Sequence, residues 1–183
     1  MEIIKTPLAD CFIIKPAVFT DARGYFMESF NEQKFNETSG LNVHFVQDNQ
    51  SFSSKGVLRG LHFQKGEHAQ AKLVRVLKGE VLDVAVDVRP GSATYGQHYS
   101  VLLSEENKLQ FFVPRGFAHG FVVLSEQAEF FYKCDNYYNK GSEGGLHFAD
   151  PTLKINWQLP ADRLLVSDKD AILPFISELN STI

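Results

Sequence analysis

Leu82, Val84, Val86 and Val88 alternate with Val81, Asp83, Ala85 and Asp87. A two-residue period puts successive side chains on opposite faces of an extended segment, so this stretch reads as a strand. Arg89-Pro90-Gly91-Ser92 closes it with a turn. The same reading predicts strands at Cys11–Ile14, Tyr25–Phe30, His44–Asp48, Leu58–Gln64, Lys72–Leu77, Tyr99–Leu103, Leu109–Val113, Gly120–Leu124 and Glu129–Asp135. Helix signals are sparse. Asn31 is placed to cap a short helix that runs to Thr38 and stops at Gly40, and a second runs from about Asp168 towards Leu173, stopped by Pro174. Many short strands with closely spaced turns, and no internal repeat, predict an all-β antiparallel fold. A double-sheet jelly roll with a few short peripheral helices fits this pattern best.

Composition sharpens the picture. There are 16 Phe against one Trp and two Met, and aromatic and β-branched residues favour strands. A length of 183 residues predicts one domain, spanning 1–183, able to bury a core without disulfide or metal staples. Lys plus Arg number 18 and Asp plus Glu 22, a net charge of −4. That balance argues against nucleic acid as a partner, which calls for a net basic face. It leaves room for a small anion held by a local Arg cluster. Met1-Glu2-Ile3-Ile4-Lys5 has an acid where a secretory leader carries basic residues. No run approaches the roughly 18 apolar residues of a membrane span. Cys11 and Cys134 are too few and too far apart for a disulfide framework. A cytoplasmic protein without membrane attachment is expected.

Two segments carry candidate chemistry: Gly56-Val57-Leu58-Arg59-Gly60-Leu61-His62-Phe63-Gln64 and Pro114-Arg115-Gly116-Phe117-Ala118-His119-Gly120. Each sets a histidine beside glycines that permit a bulge or tight turn. Together they resemble the two cupin motifs, the second of which reads Pro-x-Gly-x-x-His. Metal-binding cupins supply His-x-His followed by Glu in the first motif. Here Gln64 stands where the second His belongs, and only Glu67 follows. A transition metal takes three or more His, Cys or carboxylate ligands, and with His68 off the spacing none is expected.

The first segment, taken with Ala71-Lys72-Leu73-Val74-Arg75, Gly79-Glu80-Val81-Leu82-Asp83-Val84-Ala85-Val86-Asp87 and Pro114 to Phe121, resembles the dTDP-4-dehydrorhamnose 3,5-epimerase family. The resemblance runs from about Phe19 to Asp170 and implies a cupin-like jelly roll and a homodimer. The activity it implies is cofactor-free epimerisation of dTDP-4-keto-6-deoxyglucose in dTDP-L-rhamnose biosynthesis. Taking a proton from carbon beside a ketone requires a base of near-neutral pKa, positive charge at the enolate oxygen, and an acid on the other ring face. By resemblance His62 is the base, Asp170 its carboxylate partner and Tyr132 the acid. Lys72 is the enolate stabiliser; it alternates with Val74 and Val76, so it points to the apolar side of its strand. Losing such a group costs about 3–4 kcal/mol of barrier, by analogy with oxyanion-hole donors. The resemblance further implies Arg23 and Arg59 as diphosphate and nucleotide contacts, with guanidinium forks suited to phosphate. It adds Glu28, His119, Glu143 and Lys169 as ligand-binding positions. Gln47 and Asn49, on one strand face with Phe45, are candidates to read thymine or sugar, and Phe19, Phe26 and Tyr138 to stack on or wall the base.

Taken one at a time, these residues have plainer readings. His62 and Tyr132 fit as hydrogen-bonded core residues, Lys72 as a snorkelling strand-end lysine, and Asp170 as a helix cap. Arg59 and His62 differ by an odd number, so a regular strand sends them to opposite faces. For both to line one pocket the strand must bulge, and Gly60 is the expected position. Phe148 and Lys154 stand where the family often has Trp and Gly. The rival readings are a mono-epimerase or ketoisomerase on a related dTDP-keto sugar, a non-catalytic sugar-nucleotide-binding cupin, and a metal-dependent cupin oxygenase.

Overall fold

The computed structural model describes residues 1–179. Its strands are β1 (Glu2–Lys5), β2 (Phe12–Lys15), β3 (Val18–Asp21), β4 (Gly24–Met27), β5 (Gln47–Ser54), β6 (Val57–Gln64) and β7 (Lys72–Lys78). They continue with β8 (Glu80–Asp87), β9 (His98–Ser104), β10 (Gln110–Val113), β11 (Phe117–Val123), β12 (Gln127–Cys134), β13 (Glu143–Gly145) and β14 (Leu165–Val166). One sheet runs β1-β2-β10-β7-β12-β5. The other runs β13-β6-β11-β8-β9, with β14 beside β6. All pairings are antiparallel except β14 with β6, and β3 and β4 form a separate hairpin. This is the expected all-β double-sheet jelly roll.

The alternation in β8 explains how the layers stack. Val81 and Ala85 enter the core between the sheets, with Val74, Val76, Phe121 and Phe130. Leu82, Val84, Val86 and Val88 enter a second core against Leu58 of β6 and against Leu146 and Trp157 from the C-terminal half. Both faces of β8 are therefore covered, which buries Asp83 and Asp87 completely. A third cluster, Phe12, Ile14, Leu73 and Phe112, lies on the outer face of the first sheet under Phe35 of α1 (Glu32–Ser39).

The helix behaves as its sequence predicts. The Asn31 side chain accepts the Lys34 N–H at 3.0 Å, satisfying one of the free first-turn donors, and Gly40 ends the helix at φ 71°. The second predicted helix is reduced to a single 3-10 turn, Asp170–Ile172; Pro174 leaves no room for another turn. The strand expected at His44–Asp48 starts only at Gln47 and continues to Ser54. Phe45 is drawn away from it, packing edge-on to Phe30 and Phe35, so it does not share a face with Gln47 and Asn49. Strands β1, β3, β13 and β14 escaped the sequence reading because they are two to four residues long, too short to show a period, and only Gly145 of β13 is buried among them. Among the described residues no helix is long and apolar enough to cross a membrane.

Candidate active site

The first sheet supplies one wall of a cavity through its strand register. Gln47, Cys134 and Lys72 lie directly across from one another on β5, β12 and β7, and Asn49, Tyr132 and Val74 form the next row. Residues two apart share a face, so Lys72 and Tyr132 are diagonal neighbours aimed between the sheets. Lys72 Nζ sits 5.9 Å from the centre of the Tyr132 ring.

The opposite wall comes from β6 and β11, and here a bulge decides what faces the cavity. His62 pairs with His119, but Arg59 pairs with Phe121, so three steps along β6 match two along β11. The extra residue restores Arg59 and His62 to a common side, as expected from the parity of their numbers. Gly60 makes this possible with φ +112°; a Cβ there would lie 2.6 Å from the His119 carbonyl oxygen, closer than any side chain tolerates. Arg59 is steadied by its Nε donating to Ser53 Oγ at 3.1 Å.

Beneath this wall, the 3-10 turn that replaced the predicted helix delivers Asp170. Its Oδ1 lies 2.7 Å from His62 Nε2, and its Oδ2 accepts the Gly60 N–H at 3.2 Å. Burial pushes the Asp170 carboxyl up, but the His62 imidazole and the donors around it outweigh burial and hold it below its ordinary value. The carboxylate therefore stays ionised and orients the ring, whose side chain remains 40% exposed towards the cavity.

The two walls enclose adjoining lobes of about 500 and 460 Å³ that share Asn49, His62, Lys72, Tyr132 and Lys169. Burial lowers the Lys72 pKa, opposed by Cys134 and Asp83, and no carboxylate among the described residues comes within ion-pair distance of it. Burial raises the Tyr132 phenol, with Cys134 adding to the effect and Arg59 opposing it. Tyr132 therefore holds its proton at neutral pH. Cys134 itself is pushed up to about 11 by burial, so it is a neutral thiol in the cavity wall. The arrangement offers an oriented imidazole on one sheet and an amine and a protonated phenol on the other. That is the equipment for removing a proton from one side of a bound carbon and delivering one to the other.

At the mouth, Glu143 accepts from Lys169 Nζ at 2.6 Å and from the Tyr138 hydroxyl at 2.9 Å. The Lys169 ammonium holds the Glu143 carboxyl below its usual range. Gln47 Nε2 donates to Asn49 Oδ1 at 3.1 Å and its own Oε1 accepts the Tyr138 N–H. His119 closes the inner lobe, 5% exposed, with Nε2 at 2.9 and 3.0 Å from the two oxygens of Asp83. Among the described residues no group of three His, Cys, Asp or Glu side chains converges as a metal site would require.

The chain does not bring the remaining predicted residues here. Phe19, Arg23, Phe26 and Glu28 lie on or just after the β3–β4 hairpin, outside the cavity. Phe19 and Phe26 are 67% and 70% exposed, and the Arg23 side chain, 90% exposed, is paired only with Asp21. Glu28 bonds Lys34 on the helix surface. Conversely, the sequence reading missed Gln64, Gln70 and Cys134 as lining residues and Asp83 as the partner of His119. Asp83 did carry a signal, an acid inside an otherwise apolar strand, but its partner lies 36 positions away.

Comparison with known proteins places the chain in one family. The family model described as dTDP-4-dehydrorhamnose 3,5-epimerase matches residues 5–178. The dTDP-4-dehydrorhamnose 3,5-epimerase of Salmonella typhimurium strain LT2 is 54% identical over 181 residues, 97% of each chain. A crystal structure of the enzyme of that name from Elizabethkingia anophelis NUHP1 superposes with a TM-score of 0.94 at 62% identity, over 97% of both chains. The dTDP-6-deoxy-D-glucose-3,5-epimerase of Legionella pneumophila Philadelphia 1, crystallised with dTDP-4-keto-L-rhamnose, gives a TM-score of 0.94 at 49% identity. That match covers 98% of this chain and 95% of the other.

Proposed function

The chain belongs to the dTDP-4-dehydrorhamnose 3,5-epimerase family, and we propose that His62, Asp170, Lys72 and Tyr132 perform its reaction. The enzyme is an isomerase that converts dTDP-4-keto-6-deoxyglucose to dTDP-4-keto-L-rhamnose by inverting C3 and C5. Both carbons flank the C4 ketone, so a carbanion formed at either is delocalised onto oxygen and no cofactor enters the scheme. His62 takes the proton, with Asp170 balancing the imidazolium. Lys72 meets the negative charge at the C4 oxygen, and Tyr132 returns its phenol proton to the opposite ring face; both groups then reset with solvent. The observation that carries this reading is the division of labour between sheets: base on β6, acid and ammonium on β12 and β7, across one cavity.

Arg59, His119, Gln47, Asn49, Tyr138, Glu143 and Lys169 surround the same cavity as binding groups. The protein is one cupin-like domain that works in the cytoplasm as a homodimer, without nucleic-acid or membrane partners. The exposed β3–β4 hairpin supports the dimer: Phe19 and Phe26 leave more aromatic surface exposed than packing within their own chain explains.

Deuterium incorporation into dTDP-4-keto-6-deoxyglucose in D₂O, followed by NMR, tests the reading. Exchange and inversion at both C3 and C5 is the expected result. Exchange at one carbon alone makes the protein a mono-epimerase or ketoisomerase, and binding without exchange withdraws the catalytic roles.

A further inference from the structure

Asp83 and Asp87 lie on the same face of β8, and both are fully buried. Their surroundings differ sharply. Asp87 collects the Arg89 guanidinium and backbone N–H together with the hydroxyls of Ser92 and Thr94. Asp83 has His119 Nε2 and no other donor among the described residues. An ionised carboxylate has about four acceptor sites, and leaving such a group buried and poorly paired is costly. A structural role does not account for this, since an apolar residue would fill the same space between Val81 and Ala85.

What Asp83 does have is a position behind the cavity wall, without lining the cavity itself. Its single partner, His119, stacks over Phe130, which in turn packs against Tyr132. No buried side-chain nitrogen or oxygen among the described residues lacks a partner. His119 Nδ1 has no partner there, so it opens to the lobe that its ring lines. The other carboxylates near Lys72 are committed elsewhere, Asp170 to His62 and Glu143 to Lys169. Lys72 has Cys134 and Tyr132 beside it on β12, and faces His62 and Arg59 on β6 and His119 on β11 across the cavity. None of these brings a carboxylate. Asp83, one layer behind them, is the carboxylate left to His119 alone.

We propose that Asp83 is a positioning residue of the reaction: it holds His119 in its Nε2–H form, with Nδ1 presented to the cavity as an acceptor for a ligand hydroxyl. The inference rests on the epimerase reading for its kinetic consequences and on geometry alone for the state of His119.

Two measurements test it. Asp83→Asn keeps shape and one acceptor oxygen but removes the charge. Relative to wild type, kcat falls about 10–100-fold, by analogy with carboxylates that orient metal-ligating histidines, and falls by more than KM rises. Wild-type kcat and KM in Asp83→Asn overturn the inference. The second measurement needs no variant: ¹⁵N NMR of the wild-type protein finds His119 protonated at Nε2 and bare at Nδ1 at neutral pH. The reverse tautomer overturns the inference even where Asp83→Asn fails to fold. Absence of deuterium exchange in the wild type withdraws the epimerase reading, and the nitrogen resonances still decide the role of Asp83 toward His119.

Discussion

His62 and Asp170 stand 108 positions apart in the chain, yet Nε2 and Oδ1 approach to 2.7 Å. Two local features make this contact. The bulge at Gly60 presents the histidine, and the same glycine donates its N–H to the second oxygen of the aspartate. The 3-10 turn then ends in Leu173 and Pro174, which carry the chain away from the site. The dyad is thus built from a strand irregularity and a truncated helix, features that periodicity alone treats as imperfections.

His62→Ala removes the base while leaving the nucleotide contacts in place. Turnover drops by about 10²–10⁴-fold, the range for general base catalysis, with affinity for dTDP retained. Asp170→Asn preserves the ring's hydrogen bond and loses the charge, so its kcat lies between wild type and His62→Ala. Steady-state kinetics with calorimetric dTDP titration measure both. Loss of dTDP binding in His62→Ala would make the histidine a binding residue instead.

Tyr132→Phe deletes the acid and keeps the ring on Phe130. Deuterium from solvent still enters the substrate through His62 on its own face, but inversion falls by about 10²–10⁴-fold. NMR distinguishes the labelled starting epimer from product. Unimpaired inversion would transfer the acid role to another group.

Gly60→Ala puts a methyl group 2.6 Å from the His119 carbonyl oxygen and forces a side chain to φ +112°. The strain is about 1–3 kcal/mol at least, and relieving it displaces both His62 and Arg59. Thermal unfolding shows a lower Tm and activity falls with it. Gly24→Ala, where a Cβ meets nothing within 4 Å, carries only the backbone penalty and is the control.

Acid stability depends on Asp87. Burial alone would raise its carboxyl, but Arg89, Ser92 and Thr94 together bring it from 3.8 to about 2. A pKa lowered on folding stabilises the protein above the unfolded value and is lost as pH falls through the folded one. The contribution is about 2 kcal/mol at neutral pH and disappears between roughly pH 4 and pH 2. Asp87→Asn therefore lowers stability at pH 7 and flattens its acid dependence, as urea unfolding across that range will show. An unchanged pH dependence would mean that the ion pair with Arg89 contributes nothing.

Much of this was legible in the residues. The alternation of β8 and β7, the Asn31 cap, the Gly40 stop and the aim of Lys72 towards the apolar side all follow from local geometry, which depends on neighbours in sequence. Motif strings around His62 and His119 identified the family, and the odd spacing of Arg59 and His62 demanded a bulge near Gly60. The polar run of β5 misled because an edge strand with one exposed face needs little apolar alternation. The second helix misled because its cap and stop signals were real but left space for only one turn.

The chain's own residues determined which side chains carry chemistry and which strands they ride on, since the pleat assigns faces by parity alone. Tertiary structure decided who meets whom. Asp83 could be seen as an acid in an apolar strand, but only sheet register made it the partner of His119. Only the return of the C-terminal segment set Asp170 beneath His62. The same packing left Phe19, Arg23 and Phe26 on an exposed hairpin, because the strands that bury a single chain's core offer that hairpin no face to cover. Contacts across dozens of positions depend on how whole layers stack, and no local pattern encodes that distance.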